Sequence, residues 1–373
     1  MAESLKPRQR ITSTKRNKCS GELSGSPFCA SREENAVLAR AFDERRGSET
    51  TVEHARISRV GIEEGKGRTL KIDVIIPVYK PGRELTELLD RLETQTVSVE
   101  KIILMYTTEE SAEEEILLQA EEREKVEVHR LARQEFDHGG TRHSAVQFSQ
   151  GDIFVMLTQD AMPADEYLIE RLTENLKGKV AVSYGRQLPG EDSNEYEKLS
   201  RSFNYPETSC VKSAADLERM GVKTFFCSDV CAAYRRDVYE ESGGFLRHTI
   251  FNEDMIYAAG VIRAGYAVAY EALARVIHAH NYSNVQQLRR NFDLGVSQAE
   301  HPEVFRDVPS ESEGKKLVRE AWRYLKARRL VFLYPGFCLQ CGFKYAGYLL
   351  GKNYRKLPKR WVLAITTNRY YWM

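Results

Sequence analysis

An aspartate follows an apolar run in the segment DIFVMLTQDAMP, residues 152–163. The run Ile153–Leu157 predicts a buried strand, and Asp160 comes shortly after it. In open α/β sheets, ligands bind at the carboxyl ends of the strands, so Asp160 is expected where a metal ion or a substrate is met. One carboxylate can hold Mg²⁺ together with phosphate oxygens and waters. The simpler alternative is a loop aspartate that caps a helix near Asp165.

Two adjacent acids, Glu253 and Asp254, precede the segment Met255–Ala264, whose apolar residues suit a packed helix. A carboxylate at a helix start is both exposed and held in place. It therefore suits a general base, which must come within hydrogen-bond distance of a hydroxyl group. The alternative is that both acids only complement the positive end of the helix dipole.

The sequence DHGGTR begins at Asp137. Gly139 and Gly140 would let backbone N–H groups approach an anion, and Arg142 in the first turn of a helix could add a bidentate contact to phosphate or sugar. A tight turn capped by Asp137 is the structural alternative. Such a turn would need neither His138 nor Arg142, which favours the functional interpretation.

His278 and His280 form an H-x-H pair at the end of a predicted strand. Alternate residues of a strand share a face, so both imidazoles could point at one site. A single histidine is more often structural, whereas two of them beside Asn281 and Tyr282 favour a site. Which of the two reaches the ligand stays open.

The segment from residue 72 onward predicts alternating strands and helices. Ile72–Tyr79 is a β-rich apolar run closed by Lys80, Pro81 and Gly82, and leucines then recur at helical spacing from Leu85 to Leu92. Further elements are expected as strands at Ile102–Met105 and Val126–His129 and as helices at Ser111–Lys125 and Thr141–Gln150. This alternation with short loops predicts a mostly parallel sheet covered by helices.

Neither G-x-G-x-x-G nor G-x-x-x-x-G-K-[ST] follows the first predicted strand. The sheet must therefore bind a phosphate without a glycine cradle. A divalent cation held by a carboxylate is the usual substitute.

Several motifs, in their order and spacing, resemble known enzymes. The chain resembles the inverting, family 2 glycosyltransferases of the GT-A fold at four places: the strand end at Asp160, PVYK (77–80), YRRDVYEESGGF (234–245) and NED (252–254). More narrowly, it resembles the bacterial rhamnosyltransferase branch in EFDHGGTR (135–142), LTQDAMP (157–163) and HAHNYS (278–283). The resemblance covers roughly Ile72 to Ser283.

The resemblance implies roles for individual residues. Asp254 would be the catalytic base, with Glu253 in reserve, and Asp160 with His278 would hold Mg²⁺ or Mn²⁺. The family's D-x-D triplet reads Thr-Gln-Asp here, with one carboxylate. The substrate-binding residues implied are Pro77, Val78, Tyr79, Asp137, His138, Gly139, Gly140, Arg142, Gln159 and His280.

The implied reaction is transfer of a deoxyhexose, L-rhamnose from dTDP-L-rhamnose, to a lipid-linked or polysaccharide acceptor in bacterial surface glycan synthesis. One rival is a sugar nucleotidyltransferase, which usually opens with a Gly-rich loop; Pro77–Gly82 is not such a loop. A second rival is a non-catalytic membrane-surface scaffold on a degenerate transferase fold, suggested by the missing first acid of the triplet.

Charge is distributed unevenly along the 373 residues, which sum to +1. From Ala321 to the end there are 11 Lys and Arg and no acid, which leaves 44 basic and 54 acidic residues elsewhere. The stretch Trp322–Trp361 mixes these cations with aromatic and aliphatic residues. Such a segment suits either an anionic membrane surface or a helical pair packed on the main domain. A nucleic-acid partner is not expected, because the rest of the chain is acidic.

Three regions are expected: an N-terminal extension over residues 1–69, partly disordered, a GT-A-like domain over 70–283 and a helical, basic region over 284–373. No run approaches the roughly 18 apolar residues that span a bilayer, and the N-terminus has no signal-peptide core. We therefore expect a cytoplasmic protein, with possible peripheral attachment to the membrane. The seven cysteines indicate neither a zinc site nor disulfides.

Overall fold

A computed structural model describes residues 70–108, 114–308 and 311–373. The expected extension over residues 1–69 lies outside the described residues. In the described part of the chain, nine strands form one sheet. They are β1 (Ile72–Val78), β2 (Lys101–Thr108), β3 (Val126–Ala132), β4 (Ile153–Leu157), β5 (Met162–Pro163), β6 (Val180–Leu188), β7 (Cys210–Lys212), β8 (Cys231–Arg235) and β9 (Ala267–Ile277).

The strand order is β3-β2-β1-β4-β8-β6-β9-β5, and β7 also pairs with β9. Strands β1 to β4 are parallel, β8 runs antiparallel between β4 and β6, and β6 is parallel to β9. The carboxyl ends of β1, β4, β6 and β9 therefore lie at one edge of the sheet, together with the amino end of β8. This edge receives the residues that follow each of those four strands.

Thirteen helices lie in the described residues. They are α1 (Arg83–Glu93), α2 (Glu114–Glu121), α3 (His138–Phe148), α4 (Leu168–Glu174), α5 (Glu195–Asn204), α6 (Leu217–Met220), α7 (Arg236–Glu241), α8 (Glu253–Arg263), α9 (Asn284–Glu300), α10 (Pro302–Phe305), α11 (Glu311–Ala327), α12 (Tyr334–Lys352) and α13 (Lys359–Ile365).

The sheet is buried on both faces, which explains why its strands read as continuous apolar runs. In β1, Val74 and Ile76 pack into one core with the leucines of α1, whereas Ile75 points into the other. That second core is rich in aromatic rings, including Phe154, Tyr234 and Tyr239. Alternate residues of one strand thus supply both layers.

The predicted α/β fold, with its mostly parallel sheet, flanking helices and helical C-terminal region, is confirmed. Element ends differ from the expectation. Strand β2 continues to Thr108, and α3 begins at His138 rather than Thr141, because the carboxylate of Asp137 caps its first turn. Helix α8 likewise includes Glu253 and Asp254 in its first turn.

The C-terminal helices α11 and α12 share a small buried core with α5. Helix α9, which follows β9, is a further partner of α12. Its partner α12 approaches closely because Gly347 faces the backbone of α9: a Cβ there would lie 2.1 Å from the oxygen of Leu288. The expected boundary near residue 283 falls between β9 and α9, and the division into two regions stays a prediction. Within the described ranges, no helix combines the length and the apolar character needed to cross a bilayer.

Candidate active site

Asp160, His278 and His280 lie together at the edge where β4 and β9 end. One Asp160 carboxylate oxygen, Oδ2, lies 3.1 Å from Nε2 of His280 and 3.5 Å from Nε2 of His278. The two Nε2 atoms are 3.0 Å apart. Both histidines follow the last residue of β9 and converge through the loop rather than through strand alternation.

This trio fits a divalent metal ion. Ligand atoms at about 2.1 Å from an octahedral ion are about 3 Å apart when adjacent, close to the three separations seen here. His278 Nδ1 contacts Gln187 Oε1 at 3.0 Å, and the guanidinium of Arg201 donates to the same oxygen. Nδ1 must therefore carry the proton, which leaves the Nε2 lone pair for a metal. Burial lowers the pKa of His278 and favours this neutral form.

Gln187, near the end of β6, connects this trio to a second group of charges. Its amide nitrogen donates to the Ser228 hydroxyl at 2.9 Å, and Asp229 is the next residue. The backbone N–H of Asp229 in turn donates to Oδ2 of Asp254 at 3.1 Å. Side chains from β6 and the start of α8 are thus linked through the loop before β8.

The second group consists of three carboxylates, those of Asp229, Glu253 and Asp254, near the guanidinium of Arg142. Arg142 Nε lies 3.3 Å from Oδ2 of Asp229, and its Nη1 lies 3.2 Å from Oε1 of Glu253. Arg142 also donates to the backbone oxygen of His138 at 3.0 Å. Arg142, Asp229 and Glu253 are all buried. Arg142, expected to contact substrate, is therefore already engaged by two carboxylates, and its substrate contact stays a prediction.

Burial and like charge change the acidity of this group. Burial, with the charges of Glu253 and Asp229, raises the pKa of Asp254 well above its usual range. Burial raises the pKa of Asp229 to about 7, against the opposing effect of Arg142. A carboxylate with a raised pKa is a stronger base, which suits proton abstraction from a hydroxyl near neutral pH.

The backbone holds Asp254 in place. Its Oδ1 accepts from the N–H of Met255 at 2.6 Å, at the start of α8. Asn252, just before the helix, has φ 65°, a left-handed conformation that asparagine tolerates. The side chain of Asn252 donates to the hydroxyl of Ser297 in α9 at 3.0 Å, so α9 helps to set the position of the acids.

The backbone amides of Gly139 and Gly140 donate to an anion of the chain itself, the carboxylate of Asp137. Its Oδ1 accepts from the N–H groups of Gly139 at 3.0 Å and Gly140 at 2.7 Å. A Cβ on Gly139 would lie 1.9 Å from the backbone oxygen of Leu246, so glycine also permits close packing there. The neighbouring His138 is kept neutral, because burial lowers its pKa. A donor-binding role for these four residues stays a prediction.

Gln159 joins the ends of β1 and β4. Its Oε1 accepts from the Tyr79 N–H at 2.9 Å, and its Nε2 donates to the Tyr79 carbonyl at 2.8 Å. The guanidinium of Arg133 lies 5.0 Å from the centre of the Tyr79 ring. Pro77 and Val78 are the last residues of β1. Their contact with a nucleotide base stays a prediction.

Gln187 and Asp229 belong to the site although neither was expected from the sequence. Gln187 lies inside an ordinary strand pattern, where no local signal marks it. Asp229 precedes the apolar run Val230–Ala233, whereas in a parallel sheet the acids at the site edge follow their strands. Because β8 is antiparallel to β4, its amino end lies at the site edge. An acid just before an antiparallel strand is therefore the sequence signal that would place Asp229 at the site.

An α/β sheet that presents a candidate metal site beside a strongly basic carboxylate has the features of a group-transfer enzyme. Residues 73–243 match the family model described as glycosyl transferase family 2. The chain is 38% identical over 306 residues to the O-antigen chain rhamnosyltransferase RfbN of Salmonella typhimurium strain LT2, covering 81% of this chain and 96% of that protein. It is 40% identical over 241 residues to the O-antigen chain rhamnosyltransferase WbaN of Salmonella anatum, covering 64% and 76%.

This chain belongs to glycosyltransferase family 2, among its rhamnosyltransferase-like members, and is a glycosyltransferase. The predicted family and enzyme class are confirmed. Among solved structures, the chain is similar to the mannosyltransferase PcManGT from Pyrobaculum calidifontis in complex with GDP-Man and Mn²⁺. That match has 14% identity, covers 91% of this chain and 93% of the other, and has a TM-score of 0.49.

Proposed function

We propose that this enzyme transfers L-rhamnose from dTDP-L-rhamnose to a lipid-linked O-antigen glycan, with inversion at the anomeric carbon. The observation that carries the catalytic part is the arrangement at one sheet edge, where Asp160, His278 and His280 are linked through Gln187 and Ser228 to the carboxylates around Arg142. The names of the two curated relatives support the choice of sugar and glycan. The reaction would take place on the cytoplasmic side of the membrane.

In the proposed mechanism, Asp254 takes the proton of the acceptor hydroxyl as that oxygen attacks the anomeric carbon. The new carbon–oxygen bond forms while the bond to the diphosphate breaks, and the single displacement inverts the configuration. A divalent cation, when bound by Asp160 and the two histidines, would neutralise charge on the departing diphosphate. Glu253 and Asp229 favour proton transfer by raising the basicity of Asp254.

The ligand set also bears on which ion is used. Imidazole is a poor ligand for Mg²⁺, which prefers carboxylate and water oxygens, whereas Mn²⁺ accepts nitrogen and oxygen ligands more readily. Two histidines and one carboxylate therefore favour Mn²⁺ of the two ions considered. We assign His280 to this group as well as His278, because it lies closer to Asp160.

The test is a transfer assay with purified full-length enzyme, membrane extract containing the acceptor and a panel of nucleotide sugars, each with Mn²⁺, Mg²⁺ or chelator. We expect transfer from dTDP-L-rhamnose, and about 10²- to 10⁴-fold less with Asp254→Asn. Glu84→Gln, at another helix start, is the control and should retain activity. Transfer from UDP-glucose but not from dTDP-L-rhamnose would overturn the donor assignment. Full activity of Asp254→Asn would overturn the base.

A further inference from the structure

One face of α12 is apolar and exposed. Phe332, just before the helix, is 74% exposed, and Leu339, Tyr345 and Leu349 are 57%, 53% and 40% exposed. Residues of an α-helix are about 100° apart, so Leu339, Tyr345 and Leu349 fall within an arc of roughly 120°. We call Phe332, Leu339, Tyr345 and Leu349 the docking face.

The docking face is not the face that packs against the rest of the enzyme. Phe337 packs with Ala321 of α11 in a small buried core. Gly347 and Gly351 approach the backbone of α9. Gly342, which falls between Leu339 and Tyr345 on the docking face, has open space around it. Packing on the main domain therefore uses one side of α12 and leaves the docking face uncovered in the described part of the chain.

Cations flank both ends of the docking face. Exposed basic residues precede it at Lys326, Arg328 and Arg329 and follow it at Arg355, Lys356, Lys359 and Arg360. Two exposed tryptophans accompany them, Trp322 and Trp361. From Ala321 to Met373 the sequence has no acid. An apolar strip with cations at its ends and aromatic rings beside it complements a surface that is apolar inside and anionic outside.

We propose that the docking face binds an anionic lipid bilayer, with its apolar side chains at the boundary between headgroups and acyl chains and the flanking cations on lipid phosphates. A second copy of the chain fits poorly, because two such faces would oppose like charges without acids to pair them. Helix α9, which backs α12, begins at Asn284, four residues after His280. The bilayer would thus be one helix layer from the site, which suits the lipid-linked acceptor of the proposed function.

The test uses vesicle sedimentation with the full chain, without donor or acceptor, so that its result does not depend on transfer. We expect the wild type to pellet with phosphatidylglycerol vesicles, to stay in solution with phosphatidylcholine vesicles and to be released by salt. Leu339→Glu/Leu349→Glu should weaken binding at least tenfold. Leu118→Glu in α2 is a matched control, because Leu118 is also an exposed helical leucine, at 53%.

A second pair of variants tests the charge. Lys326→Gln/Arg329→Gln should lower vesicle affinity about 30-fold, since each basic residue near a membrane contributes about fivefold. Lys177→Gln/Lys179→Gln removes two exposed lysines elsewhere and should bind as the wild type does. Failure of the wild-type protein to sediment with anionic vesicles at low salt would overturn the proposal. So would a dimer in solution that Leu339→Glu/Leu349→Glu converts to monomer, since the face would then join two copies.

Discussion

The acidity of the Asp254 carboxyl group depends on its neighbours. The carboxylate lies at the start of α8 with Glu253 beside it, and the backbone of Asp229 donates to it at 3.1 Å. Two nearby negative charges make its ionised form less favourable, while the buried cation Arg142 pairs with those two neighbours. Asp254 therefore keeps a high affinity for a proton, as a base requires.

This arrangement predicts the pH dependence of the reaction. A base acts only when deprotonated, so kcat/KM should fall as pH drops through the raised pKa of Asp254. Glu253→Gln removes one negative neighbour and should move this acid limb to lower pH. The measurement is a kcat/KM profile for both enzymes. Identical acid limbs in the two kcat/KM profiles would show either that the charge of Glu253 does not affect the pKa of Asp254 or that Asp254 is not the base.

The histidines allow a direct test of metal binding. His278→Ala and His280→Ala should each weaken Mn²⁺ affinity, typically tenfold or more, because each removes one of three clustered candidate ligands. Titration of Mn²⁺ by electron paramagnetic resonance measures this without any substrate. His301→Ala, outside the trio, should bind Mn²⁺ as the wild type does. Unchanged affinity in both trio variants would contradict the assigned metal site.

At the scale of elements, the pairing of α9 with α12 connects the C-terminal region to the site. Helix α9 holds Asn252 through Ser297 on one side and receives Gly347 and Gly351 of α12 on the other. Its start is set by a capping box in which Ser283 accepts from the N–H of Gln286 and the Gln286 side chain accepts from the N–H of Ser283.

Two glycines of α12 give a matched prediction. Gly347→Ala places a Cβ against the backbone oxygen of Leu288 and should destabilise the protein by about 1–3 kcal/mol or more. Gly342→Ala meets open space in the same helix and should stabilise by up to about 1 kcal/mol, through helix propensity alone. Urea unfolding measures both. Equal effects would mean that α12 does not pack closely on α9.

At the scale of the whole molecule, buried acids make stability depend on pH. Between the ordinary pKa of Asp229, 3.8, and its folded value of about 7, the folded state keeps a proton that the unfolded state has lost. Unfolding then releases a proton, so rising pH through this window lowers the free energy of unfolding. This contribution is complete below the window and is lost above it.

Asp229→Asn isolates the effect, because the amide does not titrate. The difference in unfolding free energy between wild type and variant should change across pH 4 to 7, with the wild type losing stability relative to the variant as pH rises. Urea unfolding at several pH values measures this difference. Asp237→Asn, whose side chain is exposed and paired with Arg235, is a control without a raised pKa. A constant difference for Asp229→Asn would show that the folded pKa is not raised.

Much of the fold was predictable from local patterns. The strands β1 to β4 and the helices between them follow from runs of apolar residues and their spacing, since each such pattern reports on burial within a few residues. Asp160, Asp254 and the two histidines are recognisable as candidates in the same way, because each lies next to a strongly patterned element. The resemblance in motifs then pointed to the enzyme family, which the comparisons confirmed.

The partners of those residues were decided by tertiary structure. No local pattern indicates that Arg142 pairs with Asp229 and Glu253, which lie about 90 and 110 positions away, or that Gln187 orients His278. These contacts depend on β8 lying antiparallel between β4 and β6, a pairing between distant segments that local periodicity does not encode. The sequence by itself determined which elements form and which residues beside them are candidates for the chemistry. The sheet order determined which carboxylates share one guanidinium and hence which one we propose as the base.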